Sequence, residues 1–251
     1  MTHSSKCRLD SLLVSRGLVT SKQRAQALIL ARKVLVNGIV AEKSGKEVPA
    51  DVELVIKEEL PYVSRGGLKL EAALDAFRLN PSGLTVLDAG ASTGGFTDCL
   101  LQRGAARVLA VDVGYGQLDW KLRTDSRVFL MERTNIRLLD PASLPFPVDA
   151  AVADLSFISL KLILPVLARL LQRSAWVVPL VKPQFEVGRD DVGKGGVVRD
   201  TEKITAAVNG IRTFAETCGF EVIAQIESPI TGPKGNREFL LHLIKNPESK
   251  R

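Results

Sequence analysis

The sequence predicts an α/β protein: a doubly wound, mostly parallel sheet of seven strands, preceded by a small α+β module. Three observations lead there. From Leu84 onward, short apolar runs alternate with stretches of helical periodicity, the pattern of strands wrapped by helices. The first of these runs ends in a glycine-rich turn, Asp88-Ala89-Gly90-Ala91-Ser92-Thr93-Gly94-Gly95. The residues ahead of the alternating part also differ from it sharply in charge.

Net charge is +6, and its distribution is uneven. Residues 1–46 hold nine Lys/Arg against two acids, while the remainder holds 25 against 26. A compact basic module beside a neutral body points to a polyanion partner, nucleic acid first. A solubilising face is the alternative. No apolar run approaches the roughly 20 residues of a membrane helix. The best candidate, Leu160 to Leu171, is interrupted by Lys161, Pro165 and Arg169. The opening MTHSSKCRLD lacks the apolar core of a signal peptide. Cys7, Cys99 and Cys218 are odd in number and lack C-x-x-C spacing, which argues against a disulfide framework and a zinc site. The expectation is a cytoplasmic protein with no membrane partner and no metal.

In the basic module, apolar residues at 9, 12 and 13 predict a first helix, ended by Gly17. Thr20 reads as the N-cap of a second helix, Ser21 to Ala31, with Gln23 completing a capping box. Ala25, Leu28 and Ile29 face inward. Val34-Leu35-Val36-Asn37-Gly38-Ile39-Val40 predicts a hairpin turning at Asn-Gly, and Val52 to Ile56 a closing strand. Two short helices followed by this hairpin resemble the S4 RNA-binding fold over about 50 residues. That resemblance makes Arg8, Lys22, Arg24, Arg32 and Lys33 candidates for phosphate contact, which gives affinity and orientation rather than sequence choice.

In the second part the expected strands are Thr85–Asp88, Val108–Asp112, Val128–Met131, Ala150–Asp154, Ala175–Val181, Glu221–Ile226 and Phe239–Ile244. Expected helices are Leu68–Phe77, Gly95–Arg103, Leu118–Arg123, Leu160–Leu171 and Glu202–Cys218. Ligands in such sheets bind beyond the carboxyl ends of the strands. The glycine turn after the first strand lets backbone approach a ligand closely. Its D-x-G-x-x-x-G-G spacing resembles the S-adenosylmethionine loop of Rossmann-like methyltransferases. Asp88, Gly90, Ser92 and Gly94 are the loop candidates. Asp112 ends the second strand, where a carboxylate can bind ribose hydroxyls. Asn135 follows the third strand.

Charges suited to chemistry stand at other strand ends. Asp154 ends the fourth strand and Lys182 the fifth, each after a near-continuous apolar run. Lys69 lies on the helix before the first strand, and Glu238 opens the last strand. Four alternating charges then either meet over one rim or form two ordinary surface ion pairs.

Seven stretches resemble the TlyA (haemolysin A) family of ribosomal RNA methyltransferases, which joins an S4 module to an FtsJ-like domain. They are S-R-G-G-L-K-L at 64–70, L-D-A-G-A-S-T-G-G-F-T at 87–97, D-V-G-Y-G-Q-L at 112–118, E-R-T-N at 132–135, A-D-L-S-F-I-S-L at 153–160, V-K-P-Q-F-E-V-G at 181–188 and G-G-V-V at 195–198. The resemblance implies domains at 6–58 and 64–245 with a linker at 59–63. It also implies S-adenosylmethionine as methyl donor, and a Lys-Asp-Lys-Glu tetrad on Lys69, Asp154, Lys182 and Glu238. The implied reaction is 2′-O-methylation of a cytidine ribose, with ribosomal RNA or ribosomal subunits as partner. One departure is visible: certain members carry R-x-W-V before S-R-G, where this chain has Leu60-Pro61-Tyr62-Val63.

Methyl transfer needs an aligned hydroxyl and a group to take its proton. Lys182 is the expected acceptor, or, if it keeps its charge, the stabiliser of developing alkoxide. The Gly-rich segment Glu186 to Val198 reads as a mobile loop over the substrate or a plain exposed loop. Tyr115 and Phe157 read either as stackers for a flipped base or as packing. A base methyltransferase is the nearest rival. Attack at cytosine C5 would need a cysteine nucleophile, and amino methylation an N/D-P-P-aromatic stretch where this chain has Asp154-Leu155-Ser156-Phe157. A membrane-lytic protein, suggested by the family's older name, has no spanning segment or long basic amphipathic helix behind it.

Overall fold

The computed structural model describes residues 6–56 and 60–247. The chain divides into two compact units, 1–60 and 61–251. Positions 57–59, where the sequence places the end of the first domain and the start of the linker, lie outside the described residues.

The first unit runs β1 (Lys6–Arg8), α1 (Leu9–Ser15), α2 (Lys22–Leu30), β2 (Val34–Val36), β3 (Ile39–Val40), β4 (Glu47–Pro49) and β5 (Leu54–Ile56). Leu9, Leu12 and Leu13 of α1 pack on Ala25, Leu28 and Ile29 of α2, over Val34, Ala41, Val48 and Val52. The hairpin turns where Asn37 and Gly38 take φ of 49° and 77°, the left-handed pair that a two-residue turn demands. The Asn37 side chain accepts from the Glu53 N–H at 2.9 Å, tying the turn to the approach of β5. Two details differ from the sequence reading. The N-cap of α2 is Ser21, which accepts from the Arg24 N–H at 3.1 Å. Arg24 thus sits at the third helical position, and the Thr20–Gln23 box does not form. The β1–β4 pair was not foreseen, because three residues are too few to show a period of two.

The second unit runs α3 (Gly66–Ala76), β6 (Thr85–Ala89), α4 (Gly95–Gln102), β7 (Arg107–Val111), α5 (Trp120–Arg123), β8 (Val128–Met131), β9 (Val148–Ala153), α6 (Leu164–Leu170), β10 (Leu171–Val181), α7 (Thr201–Thr217), β11 (Phe220–Glu227) and β12 (Phe239–Lys245). Its seven strands lie in the order β11-β12-β10-β9-β6-β7-β8. Strands β6 to β10 are mutually parallel, and β12 is antiparallel to both neighbours. The order reverses between β6 and β9, the switch point where such sheets bind ligands.

Strand periodicity builds two cores. Leu87, Leu109, Ala151, Val177 and Leu241 face one side with residues of α6 and α7. Their neighbours Val86, Val108, Ala150, Val178 and Leu240 face the other with α3 and α4. Each fully buried aliphatic side chain contributes about 1.5–3 kcal/mol. Helix α7 shows the logic along one element. Asp200 caps it by accepting from Glu202 and Lys203 N–H groups, and Ile204, Val208, Ile211 and Ala215 form its buried stripe. Left-handed Gly219 follows its end.

The expected helix Leu160–Leu171 is broken. A 3-10 turn covers Leu160–Leu162, and α6 begins only at Leu164. Pro165 explains this: it fits the first turn, and a longer helix would drive its ring into the carbonyl of Lys161. Strand β10 starts four residues earlier than expected, with a register shift between Leu171 and Trp176 and Ser174 at φ 59°.

Segment 186–198 is tied down at several points. Glu186 accepts from the Ser159 hydroxyl and the Leu160 N–H at 2.6 and 2.9 Å. Asn236 accepts from the Val198 N–H and donates to the Gly196 carbonyl. These side-chain bonds hold the two ends of the segment, which the sequence offers as either a mobile or a plain exposed loop.

Candidate active site

Three adjacent strands carry three of the four chemical charges to one edge. Asp154 follows the last residue of β9 and Lys182 the last residue of β10. Glu238 immediately precedes Phe239, which pairs with Val181. Because β12 runs antiparallel, its start meets the carboxyl ends of the others. Lys69 reaches the same edge from α3.

The four form two ion pairs. Lys182 Nζ lies 2.5 Å from Asp154 Oδ1 and donates to Ser156 Oγ at 2.9 Å. Lys69 Nζ donates to Glu238 Oε2 at 2.5 Å. Side-chain exposure is 9% for Lys69, 1% for Glu238, 9% for Lys182 and 22% for Asp154. These are therefore enclosed charges, not surface ion pairs, and each needs its partner. The pairs adjoin: a Cβ on Gly66, which opens α3, would lie 3.9 Å from Asp154 Oδ2.

The glycine turn stands beside them. Gly90, Ser92 and Gly94 take φ of 87°, 49° and 98°, folding the backbone back between β6 and α4. A Cβ on Gly90 would come 2.7 Å from the Asp154 carbonyl oxygen, so only glycine passes there. Asp112 holds the turn. Its Oδ2 accepts from the Ser92 N–H at 2.7 Å and its Oδ1 from the Gly114 N–H at 2.6 Å. Each oxygen keeps a further acceptor site, which suits a diol.

Asp88 and Asn135 sit differently from the other loop candidates. Asp88 is fully enclosed and accepts from the Thr97 hydroxyl at 2.6 Å, so it braces the turn from behind. Burial pushes its pKa up to about 7; Thr97 opposes this and the Asp154 charge adds to it. Asn135 is exposed after β8 and caps the 3-10 turn Ile136–Leu138 by accepting from the Arg137 N–H.

Several contributors carried no signal as single residues. Ser156 lies within a quoted motif, but only the fold brings it to Lys182. Phe157, 90% exposed at φ 64°, meets Phe185 at 5.2 Å between ring centroids. Tyr115 is exposed beneath the Arg133 guanidinium, 4.2 Å from its ring centroid. Neither aromatic is core packing. Tyr62 is: its ring fills the space above Gly67 and its hydroxyl donates to Glu71 at 2.8 Å. With the Val63 N–H donating to Asp98, residues 61–63 form a strap on the second unit rather than a free linker. Cys99 is fully buried, and burial pushes its thiol up to about 12.

In the first unit, the RNA candidates divide. Arg8 pairs with the enclosed Asp10 through bonds of 3.1 and 2.7 Å, while its side chain stays half exposed. Arg32 pairs with Glu42 at 2.8 Å on the surface. Lys22 and Arg24 are exposed along α2, and Lys33 is half-buried after it.

Comparison with known proteins adds the following. The FtsJ-like methyltransferase family matches residues 62–245, and the S4 domain matches residues 7–54. A 16S/23S rRNA (cytidine-2′-O)-methyltransferase of Mycobacterium tuberculosis is 49% identical over 240 residues, covering 95% of this chain and 90% of that protein. A solved structure described as a hemolysin of Streptococcus thermophilus is similar with TM-score 0.75 and 44% identity, covering 98% of this chain and 93% of that one. A structure described as an S-adenosylmethionine-dependent methyltransferase of Listeria monocytogenes shares the fold at TM-score 0.55 and 18% identity, over 73% of this chain and 100% of that one.

Proposed function

Because the chain belongs to the FtsJ-like methyltransferase family and carries an S4 domain ahead of that part, we propose that it methylates a cytidine ribose 2′-hydroxyl in ribosomal RNA. The observation that carries this reading is the enclosed Lys182–Asp154 pair, set beside Lys69–Glu238 at the edge that holds the glycine turn. S-adenosylmethionine supplies an electrophilic methyl on a sulfonium. The donor set fits it: Gly90, Ser92 and Gly94 offer a close backbone, and Asp112 offers acceptor oxygens for ribose hydroxyls. Asp88 supports that turn from behind.

Lys182 is the group for the substrate hydroxyl. Asp154 and Ser156 fix its amine from two directions, and its remaining valence is left for the 2′-oxygen. The neutral amine takes the hydroxyl proton. Lys69 and Glu238 neutralise each other alongside, so Asp154 is the counter-charge for Lys182 once it has taken the proton. Positioning of this kind supplies up to roughly 7–11 kcal/mol of a barrier in favourable cases. Phe157 offers a ring face to the nucleoside base.

The fate of the cysteines favours ribose over cytosine C5. A C5 methyltransferase needs an accessible thiolate, and Cys99 is buried with its thiol pushed up to about 12. Among the described residues no helix is long and apolar enough to cross a membrane. We take the cytoplasm as its compartment, because the proposed substrate is ribosomal RNA.

The test is transfer of labelled methyl from S-adenosylmethionine to isolated ribosomal subunits, then digestion and mass spectrometry. The expected product is 2′-O-methylcytidine, and its formation is lost in Lys182→Ala. Methyl on the base, or an undiminished rate in that variant, overturns the reading.

A further inference from the structure

We infer that Ser156 is a positioning residue that holds the amine of Lys182 in line while that amine is neutral and able to take a proton. The inference rests on Lys182 acting as proton acceptor. The geometry points to Ser156 through the two partners of Nζ, which differ in kind. Asp154 lies at 2.5 Å and, as a carboxylate, only accepts. Its attraction is strong for an ammonium and weak for an amine. Ser156 Oγ lies at 2.9 Å, and a hydroxyl both accepts and donates. Its oxygen accepts an N–H from the ammonium and equally from the neutral amine, which keeps two N–H groups and leaves its lone pair for the 2′-hydroxyl. The contact therefore survives the change of charge that proton transfer requires. The other charges at this edge do not substitute: Glu238 is taken by Lys69, and Asp88 is enclosed on Thr97.

The position of Ser156 is built, not incidental. The stretch after β9 is held on both sides of the serine, by the glycine turn after β6 on one side and by the turn after β10 on the other. Leu155 packs where a Cβ on Gly90 would fall. Phe157 meets Phe185 at 5.2 Å. Glu186 accepts from both Ser159 and Leu160. Phe157 sits at φ 64°, a conformation costly for a non-glycine residue that the surrounding contacts must hold. This turn presents residue 156 to Lys182.

The experiment is steady-state methyl transfer with full-length Ser156→Ala, Ser156→Thr, Lys182→Ala and the Ser156→Ala/Lys182→Ala double variant. Ser156→Ala is expected to lower kcat about tenfold, the factor one hydrogen bond carries. KM for RNA and for S-adenosylmethionine should stay within about twofold, because the serine acts on the amine and not on binding. Ser156→Thr keeps the hydroxyl and restores most of kcat. The double variant should be no slower than Lys182→Ala alone, since the serine works only through that lysine. Full kcat in Ser156→Ala, or a double variant slower than Lys182→Ala by the single serine factor, overturns the proposal while leaving Lys182 in its role. An active Lys182→Ala removes the reading beneath it instead.

Discussion

Lys182 and Glu238 flank the Val181–Phe239 rung of β10 and β12, yet each takes its ion-pair partner from another element. Lys182 pairs with Asp154 from the end of β9, and Glu238 with Lys69 from α3. The Lys69–Glu238 pair is the more enclosed, so its integrity is a matter of stability. Glu238→Gln leaves an ammonium buried without a counter-charge, a change that costs about 3–5 kcal/mol. Urea unfolding should show a correspondingly lower midpoint. Adding Lys69→Met to the same chain should recover most of the loss, because the stranded charge goes with it. A single variant as stable as wild type would mean that water reaches this pair.

The enclosure of Asp88 makes stability depend on pH. Its folded pKa of about 7 stands above that of an unfolded carboxylate, burial being the main cause. The folded state therefore holds the proton more tightly than the unfolded one. The group's contribution is most favourable below about pH 4 and is lost as pH rises through 7. Asp88→Asn keeps the shape and an acceptor for Thr97 without the charge. Its melting temperature is expected to exceed that of wild type at pH 8, with the gap narrowing steadily toward pH 4. A gap of constant size across that range would show that Asp88 ionises in the fold at no cost.

Much of this architecture was legible because its signals are local. The seven strands announce themselves as apolar runs, and Asp154 and Lys182 are charges where such runs stop. The glycine turn is spelled out residue by residue. What stayed hidden depends on distance in space. Nothing in the sequence ties Arg8 to Asp10: the pairing follows from Asp10 lying in the first turn of α1 on its buried side, fully enclosed. Tyr62 looked like part of a linker because its seat, the bare backbone of Gly67, exists only once α3 has formed. Ser156 is one serine between Leu155 and Phe157 until β9 and β10 lie side by side.

The split between Arg8 and Lys22 gives two contrasting expectations for the S4 domain. Arg8 holds Asp10 well below the usual carboxylate range, chiefly by side-chain hydrogen bonding. Stability from that pair is present above about pH 4 and is lost as pH falls through lower values. Arg8→Ala should lower the unfolding midpoint of this part of the chain at neutral pH, with the deficit shrinking in acid. Lys22 is exposed, and its substitution should leave unfolding unchanged. Instead, Lys22→Ala should weaken RNA binding and reduce the slope of log affinity against log salt by about one. Hydrogen exchange and a salt titration read the two effects separately. An altered salt slope in Arg8→Ala with unchanged stability would reverse the assignment.

Gly90 meets two demands that alanine cannot meet together. At φ 87° an L side chain is strained, at a cost of about 1–2 kcal/mol. The added Cβ would also press on the Asp154 carbonyl oxygen at 2.7 Å and on Leu155. That pressure falls on the stretch that carries Asp154 and Ser156, so the damage should spread from the glycine turn to the chemistry. Gly83 is a fitting control. Its φ is 76°, but nothing lies within 4 Å of a Cβ placed there. Both alanine variants should lose stability through backbone strain. Only Gly90→Ala should lose S-adenosylmethionine affinity, by more than about tenfold in titration calorimetry, since overpacking of this kind costs about 1–3 kcal/mol. Equal affinities in the two variants would show that the turn tolerates displacement of the β9 end, and that the cofactor is held elsewhere.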